Sequence, residues 1–460
     1  MTALISLWMA PGAGVASEKE SATRPWSDEV VYVVIEGKFF DGDPSNNMML
    51  KRFGANKKNY AGCGYWGGDL KGVQKKLDYL QTLGVTTLLL YPVMLNDREP
   101  CGKWLPSGYR PRDYFRIDEN LGTMEDLKNL VSDAHKRGIR IVLDMPLGIP
   151  GLEHPFYTDR AKKTWFGDST VYGVRRWNTD NTAVADYLIS VGKFWRNKCD
   201  GFRMDSCQLH SIGFWKRFTT EIRSDPGFSD FFLLGEEVVP PKDIGLFLRE
   251  TGFDSAYDFS FGVVRKVLGR GESPNKMIAF WDNCKKFYPK PPNMVVQLGD
   301  YEAFAQWALK PTVERTRLAM AFILTVNRVP FIYPGDEQAM AFDETCALFT
   351  SLDETRTNSL KWTRTLIALR KKEPALRQGT LTDLRARHGI LSFIRTSGKD
   401  RILVAMNTTE SQQDIQVDIP GTSWHNAALR DLIENSDVKP KNSDTPLPIP
   451  AFGIRILKGM

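Results

Sequence analysis

Two short apolar segments of the chain each end in a carboxylate, and the two carboxylates are about thirty residues apart. Residues 199–205 end at Asp205, and residues 231–236 end at Glu236. About thirty residues is the length of one strand–helix repeat, so two consecutive parallel strands would present these acids at the same, carboxyl, edge of a sheet. Two carboxyl groups held side by side can cleave a glycosidic bond, because one attacks the sugar carbon while the other protonates the leaving oxygen.

Arg203 supports the catalytic interpretation of this pair. Acids at strand ends also cap the helices that follow them, so a pair of helix caps is the alternative interpretation. Arg203 lies two residues before Asp205 and therefore on the same strand face, where its fixed positive charge would keep that carboxylate ionised. Glu237 would alternate to the opposite face if the strand continues, so we assign it no catalytic role.

The acids are positioned by an alternation of apolar strands and helical patterns that spans about 350 residues. Besides the two segments above, apolar strand segments occupy residues 30–36, 85–91, 139–143, 254–259, 293–298 and 329–333. Eight strands with helices between them predict an α/β fold, a (β/α)8 TIM barrel. Asp144, Asp205, Glu236 and Asp300 each follow a different strand, and in this fold the carboxyl edge of the strands carries the active site.

The end of the chain has a different pattern. From about Gly379, short alternating segments at 389–396, 401–407, 413–419 and 451–457 are separated by polar turns, which predicts a C-terminal antiparallel β domain. We therefore divide the chain into four parts, which are an N-terminal tail (1–27), a catalytic barrel (28–378), a short inserted subdomain after the third barrel strand (148–182), and a C-terminal β-sandwich domain (379–460).

Composition limits the classes of partner. Hydrophobic residues make up 42% and charged residues 25% of the chain, as in a soluble globular protein. A net charge of +6 without a run of basic residues argues against nucleic acid, and no segment has the about eighteen apolar residues of a membrane span. Residues 4–16 are apolar and end in small residues, which predicts a signal peptide and a secreted or periplasmic protein. Cys63 and Cys101 could form a bridge, or all the thiols are free; the oligomeric state is left open.

With these residues placed, the chain resembles the α-amylase family of glycoside hydrolases from about residue 28 to the end. Residues 201–205 resemble the family's nucleophile strand, and residues 235–236 resemble its acid/base strand. Asp300 stands where the family keeps its third acid. The other matches are Asp144 at the end of the third strand, the loop with Tyr109 (whose ring would stack on the sugar at the cleavage point), and the eighth-strand signature at 329–337.

The resemblance implies hydrolysis of α-glucosidic bonds in oligo- or polysaccharides with retention of configuration. Asp205 would attack the anomeric carbon to form a glycosyl-enzyme, and Glu236 would act first as acid and then as base for water. Asp300 would bind ring hydroxyls and stabilise the transition state. Arg203 and Asp144 would belong to the substrate-binding set. Retention requires the two catalytic carboxyl groups to be roughly 5–5.5 Å apart.

The chain departs from the family at positions that usually contact the sugar. Gly148 and Ile149 stand where the third strand continues to Asn-His, and Leu298 and Gly299 stand where the seventh strand has Asn-His. Each lost hydrogen bond to the transition state would cost about 1.5–3 kcal/mol if it is charge-assisted, so we expect weak activity on ordinary starch. The missing Asn also removes a ligand of the calcium site that many amylases carry between the barrel and the inserted domain.

The residues after the nucleophile differ as well. The family often has Lys-His there, whereas this chain has Gln208 and Leu209. His154 and His210 lie nearby in sequence. We expect each of them to be a surface or structural histidine rather than a replacement for a lost imidazole.

A loop near the N-terminus predicts a structural calcium site. The pairing of its two stretches resembles the calcium loop of family members that make or degrade cyclodextrins. The ligands that this resemblance implies are Asp41, Asp43, Asn46, Asn47, Asp69 and the carbonyl of Gly67. Calcium takes six to eight oxygen ligands, which acids and amides at short spacing can supply. The alternative is an Asx-rich turn without a metal, since turns favour the same residue types.

Two other functions remain open beside the hydrolase. A transglycosylase of the same family would pass the sugar to another sugar rather than to water. A carbohydrate-binding protein on a catalytically retired scaffold would explain the missing histidines. The presence of Arg203, Asp205, Glu236 and Asp300 together favours an active enzyme over a retired one.

Overall fold

The computed structural model describes residues 24–48, 66–98, 108–171, 173–298, 312–340, 348–415, 429–438 and 446–459. Three of the predictions lie outside these ranges, and they concern the signal segment, the Cys63–Cys101 bridge, and the positions Gly299 and Asp300. Among the described cysteines, Cys199, Cys207 and Cys284 are free thiols.

The first part of the chain contains the strands of the barrel and two short accessory strand pairs. In chain order the strands are β1 (Val31–Val34), β2 (Thr87–Leu90), β3 (Met94–Asn96), β4 (Pro111–Ile117), β5 (Arg140–Met145), β6 (Phe166–Val171), β7 (Val174–Trp177), β8 (Gly201–Met204), β9 (Phe232–Gly235), β10 (Ser255–Ala256), β11 (Val295–Gln297) and β12 (Val329–Ile332). Eight of them form one sheet in the order β10-β9-β8-β5-β2-β1-β12-β11. A parallel bridge between Tyr257 and Val295 joins the two end strands. The predicted (β/α)8 barrel is therefore confirmed.

Helices connect the barrel strands. The described α-helices are α1 (Glu36–Phe39), α2 (Leu70–Lys75), α3 (Leu77–Leu83), α4 (Met124–Lys136), α5 (Pro155–Thr158), α6 (Thr182–Trp195), α7 (Ile212–Ile222), α8 (Pro241–Thr251), α9 (Phe261–Val264), α10 (Asn275–Lys285), α11 (Val313–Thr325), α12 (Glu354–Lys372) and α13 (Pro374–Arg377). The capping box predicted at the start of α4 is present, with Thr123 and Asp126 bonded to each other's backbone N–H groups. Every helix in the described ranges is too short or too polar to traverse a lipid bilayer.

Side chains of the barrel strands alternate between an inner cluster and an outer layer. The inner cluster consists of Trp26, Val31, Val33, Leu89, Tyr91, Val142, Leu234, Tyr257, Val295, Val329, Phe331 and Tyr333. The outer layer packs against the helices. Asp144 and Arg203 each lie between two apolar residues of the outer layer, so the period-two geometry of a strand turns both inward. The fold thus carries two charged side chains into the barrel at its carboxyl edge.

The C-terminal part is antiparallel, as predicted. Its strands are β13 (Thr380–Arg387), β14 (Ile390–Ser397), β15 (Asp400–Asn407), β16 (Gln413–Ile415), β17 (Leu429–Asp431), β18 (Ser436–Val438), β19 (Leu447–Ile449) and β20 (Ile454–Gly459). Six of them form a sheet in the order β13-β14-β15-β20-β17-β18, and β16 pairs with β19. Strand β13 was missing from the sequence interpretation, because its exposed polar residues obscure the alternation.

Two buried arginines lie near the boundary between this domain and the barrel, and one of them, Arg395, bonds across it. Arg395 in β14 and Arg370 in α12 both donate to the carbonyl of Leu376, at 2.9 and 2.8 Å. Arg395 also donates to the carbonyl of Thr325, the last residue of α11. Because helix C-termini carry unpaired carbonyls and partial negative charge, the guanidinium of Arg395 stabilises helix ends on the far side of the domain boundary. Burial lowers the pKa of Arg370 to about 9.

Two buried histidines hold the inserted subdomain. His154 lies among aromatic rings, accepts a hydrogen bond from the Phe156 amide at 3.2 Å, and bonds the Tyr187 hydroxyl at 3.1 Å. His210 bonds the Leu147 carbonyl at 3.0 Å and Thr179 at 3.3 Å. Both are buried and hydrogen-bonded within the fold, so each is a structural histidine, as the sequence predicts. Burial lowers the pKa of each imidazole to about 4.

Acid is expected to loosen this subdomain. An imidazole whose pKa falls from 6.5 to about 4 on folding binds its proton more weakly in the folded state, so stability is lost as the pH falls from about 6.5 to 4 and the loss saturates below that range. Each histidine contributes at most about 3 kcal/mol. Urea unfolding at pH 7.5 and 4.5, followed by tryptophan fluorescence, measures the effect.

Variants separate these histidines from other acid-labile groups. His154→Gln and His210→Gln should each show a smaller loss of unfolding free energy between pH 7.5 and 4.5 than the parent protein. His388→Asn, at an exposed site, is the matched control and should retain the full loss. Equal pH dependence in all four proteins would contradict the assignment.

Candidate active site

The guanidinium of Arg203 lies at the centre of the candidate site. Its Nη1 donates to both carboxylate oxygens of Asp144, at 2.9 Å each, and to Oδ1 of Asp205 at 2.7 Å. Its Nη2 lies 2.7 Å from Oε2 of Glu236. Burial alone would lower the pKa of this guanidinium, but the surrounding acids outweigh burial and raise the pKa well above its usual value. Arg203 therefore stays charged and joins three acids.

Asp205 and Glu236 are brought together by neighbouring strands. Strands β8 and β9 are parallel, with Met204 beside Gly235, and the two acids are the next residues. Since one guanidinium contacts both carboxylates, their separation cannot exceed the span of that group and two hydrogen bonds. Each side chain is 21% exposed, so a bound molecule can reach both. The arrangement suits a nucleophile and a proton donor acting on one bond.

The turn after β8 fixes Glu236 from a second direction. Ser206 has φ 49° and ψ 52°, a left-handed conformation that is unusual for a residue with a side chain. This turn brings the Ser206 amide to Oε2 of Glu236 at 3.2 Å and the Cys207 amide to the Glu236 carbonyl at 2.7 Å. Local strain of this kind is found at functional sites, where the surrounding structure compensates for it.

Asp144 lies beneath the exposed pair. Its side chain is fully shielded from solvent, and the Tyr109 hydroxyl donates to its Oδ2 at 2.7 Å. Burial raises the pKa of Asp144 to about 7, with Arg203 acting in the opposite direction. Asp144 thus holds the side chains of Arg203 and Tyr109 in place through hydrogen bonds.

Two residues that sequence reasoning did not assign also lie here. Tyr257 follows β10 and belongs to the inner cluster, and its ring centre is 5.6 Å from the Arg203 guanidinium. Glu237 follows β9, which ends at Gly235. The strand does not extend to Glu237, so the expectation that strand alternation turns this residue to the opposite face does not apply. Burial, and to a lesser extent the negative charge of Asp243, raises the pKa of Glu237 to about 7. The position of Tyr257 near the end of a predicted strand is the feature of the sequence that could have identified it as a residue of the site.

Apolar packing surrounds Gly148 and Ile149, two of the positions at which a departure from the family is expected from the sequence. A Cβ atom at Gly148 would lie 2.6 Å from Cδ1 of Leu209, so the leucine fills the space that a larger residue at 148 would need. Ile149 is buried as well. Arg176 donates to the Leu209 carbonyl at 3.0 Å, and the Trp177 amide donates to the Gly148 carbonyl at 3.2 Å. Hydrogen bonds and apolar contact therefore close the junction between the barrel and the inserted subdomain.

Part of the predicted calcium loop converges. Asn47 donates to Oδ2 of Asp41 at 2.7 Å. A Cβ atom at Gly67, which has φ +85°, would lie 3.0 Å from that same oxygen. The other carboxylate oxygen, Oδ1 of Asp41, is buried without a hydrogen-bond partner, and so is Oδ1 of Asn46. An orphaned buried oxygen on Asp41, whose other oxygen lies beside Gly67, fits a cation that prefers oxygen ligands, and Asn46 of the same loop offers a second such oxygen.

The other two predicted ligands have partners of their own. Asp43 accepts from Lys71 at 2.6 Å, which holds the pKa of Asp43 well below its usual range. Asp69 caps α2 and accepts from the amides of Gly42, Asp43 and Gly72. The described part of the chain contains no group of three or more His, Cys, Asp or Glu side chains placed to hold a metal. A calcium site here would depend on amide and carbonyl oxygens beside Asp41.

Comparisons with known proteins agree with this architecture. Residues 34–172 match the family profile described as alpha amylase, catalytic domain, and residues 381–456 match that of the maltogenic amylase C-terminal domain. Alpha-amylase 2 of Dictyoglomus thermophilum is 29% identical over 75% of this chain, which spans 65% of that protein. Neopullulanase 2 of Thermoactinomyces vulgaris is 27% identical, and the match covers 87% of this chain and 74% of that protein. A solved Anoxybacillus alpha-amylase superposes with a TM-score of 0.83 and 26% identity, with 95% and 98% covered.

Proposed function

Because the chain belongs to the α-amylase family of glycoside hydrolases, we propose that it hydrolyses α-glucosidic bonds of oligo- or polysaccharides with retention of configuration. The observation that carries this proposal is the pair Asp205 and Glu236, joined by one guanidinium at the carboxyl edge of the barrel and open to solvent. The names of its relatives, an alpha-amylase and a neopullulanase, support a glucan as substrate.

The two exposed acids divide the chemistry. A carboxylate oxygen of Asp205 attacks the anomeric carbon, the bond from that carbon to the leaving oxygen breaks, and Glu236 transfers its proton to the leaving oxygen. Glu236 then takes a proton from water, and the water oxygen displaces Asp205 from the anomeric carbon. Asp300, which lies outside the described residues, is proposed to bind ring hydroxyls and stabilise the transition state.

Buried side chains beside Asp205 and Glu236 position this pair and stabilise its charge. The positive charge of Arg203 stabilises the anionic carboxylate that attacks the sugar. Asp144 compensates the buried guanidinium and keeps it in place from below. Tyr109 is bonded to Asp144 through its hydroxyl, which orients its ring for stacking on the sugar at the cleavage point.

A panel of α-1,4, α-1,6 and α-1,1 glucosides, with products resolved by anomer, tests the proposed function. Initial release of the α-anomer supports double displacement, and release of the β-anomer overturns it. Appearance of longer saccharides instead of water-derived products would favour the transglycosylase. Saccharide binding without turnover of any glucoside would favour the retired, carbohydrate-binding alternative.

Ordinary starch is expected to be a poor substrate. Gly148, Ile149, Leu298 and Gly299 lack the polar side chains that the family uses at the cleavage point, and each lost charge-assisted hydrogen bond costs about 1.5–3 kcal/mol. A reducing-end assay on soluble starch should therefore give a kcat/KM orders of magnitude below amylase rates. Gly299→His alone should not restore it, because the partner contacts also differ. Starch turnover at amylase rates would contradict the expectation.

We also propose a structural calcium ion held by Asp41, Asn46, Asn47 and the Gly67 carbonyl, whereas Asp43 and Asp69 of the predicted set are bonded to other groups of the loop. The orphaned oxygens of Asp41 and Asn46 support it. Such an ion would neutralise the buried carboxylate and tie the loop after α1 to the stretch before α2. It would take no part in the reaction.

Calcium should therefore raise thermal stability without changing the chemistry. A ligand that binds only the folded state at one hundred times its dissociation constant adds about 2.7 kcal/mol, so chelator should lower Tm by several degrees and added calcium should restore it. Asp41→Asn should remove that response. Asp168→Asn, at an exposed site, is the control and should keep it. A Tm indifferent to chelator and calcium would end the proposal.

Export is the remaining proposal. The apolar segment at residues 4–16, followed by small residues, supports a signal peptide and a secreted or periplasmic enzyme. A polysaccharide too large to enter a cell would be met in such a compartment. The oligomeric state is open.

A further inference from the structure

Gln297 carries a buried oxygen that no residue in the described part of the chain satisfies. The residue is the last of β11 and is 3% exposed. Its side-chain carbonyl oxygen, Oε1, is fully buried and accepts no hydrogen bond. An unpaired buried acceptor is unfavourable, so such a group in a native protein calls for an explanation. A ligand that donates a hydrogen bond is one explanation that can be tested.

The strand alternation turns Gln297 into the barrel. Val295, two residues earlier, belongs to the inner cluster, whereas Val296 and Leu298 belong to the outer layer. Gln297 therefore points to the same side as Val295. This is the geometry that turns Asp144 and Arg203 inward. The three polar residues thus belong to the same inner face of the sheet.

The neighbouring strand connects Gln297 to the catalytic acids. Val295 is bridged to Tyr257, and Gln297 lies two residues further towards the carboxyl edge. The ring centre of Tyr257 lies 5.6 Å from the guanidinium of Arg203, which contacts Asp205 and Glu236. Gln297 therefore lies on the inner face of the barrel, at the end of the strand that is bridged to Tyr257 and at the carboxyl edge that also carries the catalytic acids.

We propose that Gln297 is a specificity-determining residue that accepts a hydrogen bond from a hydroxyl of the sugar at the cleavage point. The inference rests on the proposed function. It accounts for an inward acceptor at the carboxyl end of β11 that no described residue satisfies. An amide carbonyl suits this task because it accepts from a hydroxyl without carrying charge. The substrate class is an α-glucoside that keeps the contacted hydroxyl.

Deoxy sugars test the contact directly. The probes are α-maltosyl fluoride and three analogues that lack the 2-, 3- or 6-hydroxyl of the fluorinated glucose, with fluoride release as the readout. Gln297→Met removes the acceptor at similar size, and kcat/KM on the parent sugar should fall about tenfold to a hundredfold. One of the three deoxy analogues lacks the hydroxyl that Gln297 contacts. On that analogue Gln297→Met and the wild-type protein should have the same kcat/KM, because the hydrogen bond is already absent when its hydroxyl is missing.

Controls keep the test decisive. Gln378→Met changes a glutamine bonded to Asp28, outside the site, and should behave as wild type with every fluoride. Gln297→Leu replaces Gln297→Met if the latter has a lowered Tm. Either of two results would overturn the inference alone. One is an unchanged kcat/KM of the Gln297 variant on the parent sugar. The other is a loss from the substitution that is as large on each of the three analogues as on the parent sugar. A wild-type protein inactive on every fluoride would overturn the proposed function, and the inference with it.

Discussion

Replacing Asp205 with Asn is expected to abolish turnover while leaving the fold intact. The amide has nearly the same shape as the carboxylate, but it is neutral and a poor nucleophile, so the covalent step fails. Removal of a nucleophile that acts as part of a catalytic unit costs on the order of 10⁴-fold or more in kcat. Fluoride release from α-maltosyl fluoride measures the loss, and Tm reports the fold.

The surroundings of Asp205 explain why its stability effect should be small. Its side chain is 21% exposed, so the loss of charge is partly compensated by water. Arg203 also keeps its contacts with Asp144 and Glu236. Asp186→Asn, which removes the acid of an exposed pair with Arg217, is the control and should keep full activity. Activity within tenfold of wild type in Asp205→Asn would remove Asp205 from the mechanism.

Replacing Arg203 with Met is expected to cost both activity and stability. The change leaves the fully shielded carboxylate of Asp144 without its counter-charge, and breaking a buried ion pair from one side typically costs about 3–5 kcal/mol. It also removes the group that holds Asp205 and Glu236 together. Urea unfolding and fluoride release should therefore both show large losses.

The pH dependence of this variant identifies the cause. Arg203 acts to lower the pKa of Asp144, which burial already raises to about 7, so without the guanidinium that pKa rises further. A group whose pKa is raised by folding costs stability as the pH rises through that range. The stability gap between Arg203→Met and wild type should thus be larger at pH 8 than at pH 5.

A double variant completes the test. In Arg203→Met with Asp144→Leu, no buried charge is left unpaired, so much of the stability should return while activity should not. Arg217→Met removes the base of the exposed pair with Asp186 and should change stability by less than about 1 kcal/mol. A stability loss that is independent of pH and unchanged in the double variant would show that Asp144 is not the stranded charge.

Local patterns in the sequence were sufficient for the architecture and for the identity of the candidate acids. Apolar runs that end in a carboxylate marked the strands of β5, β8 and β9, because a buried parallel strand needs apolar side chains on both faces and meets solvent only at its end. The two-residue spacing of Arg203 and Asp205 placed them on one face, because strand alternation is a property of the backbone. The capping box at α4 was visible for the same local reason.

Contacts between distant strands were decided by the tertiary structure. Closure of the barrel brings Arg203 against both Asp144 and Glu236, shields Asp144 so that its pKa rises, and leaves Oε1 of Gln297 unpaired. The packing of Leu209 over Gly148 depends likewise on how two loops meet. Sequence patterns record which face each residue occupies. Distance and burial depend on the register between strands and on the shape of the closed sheet, which are set by the packing of the whole barrel.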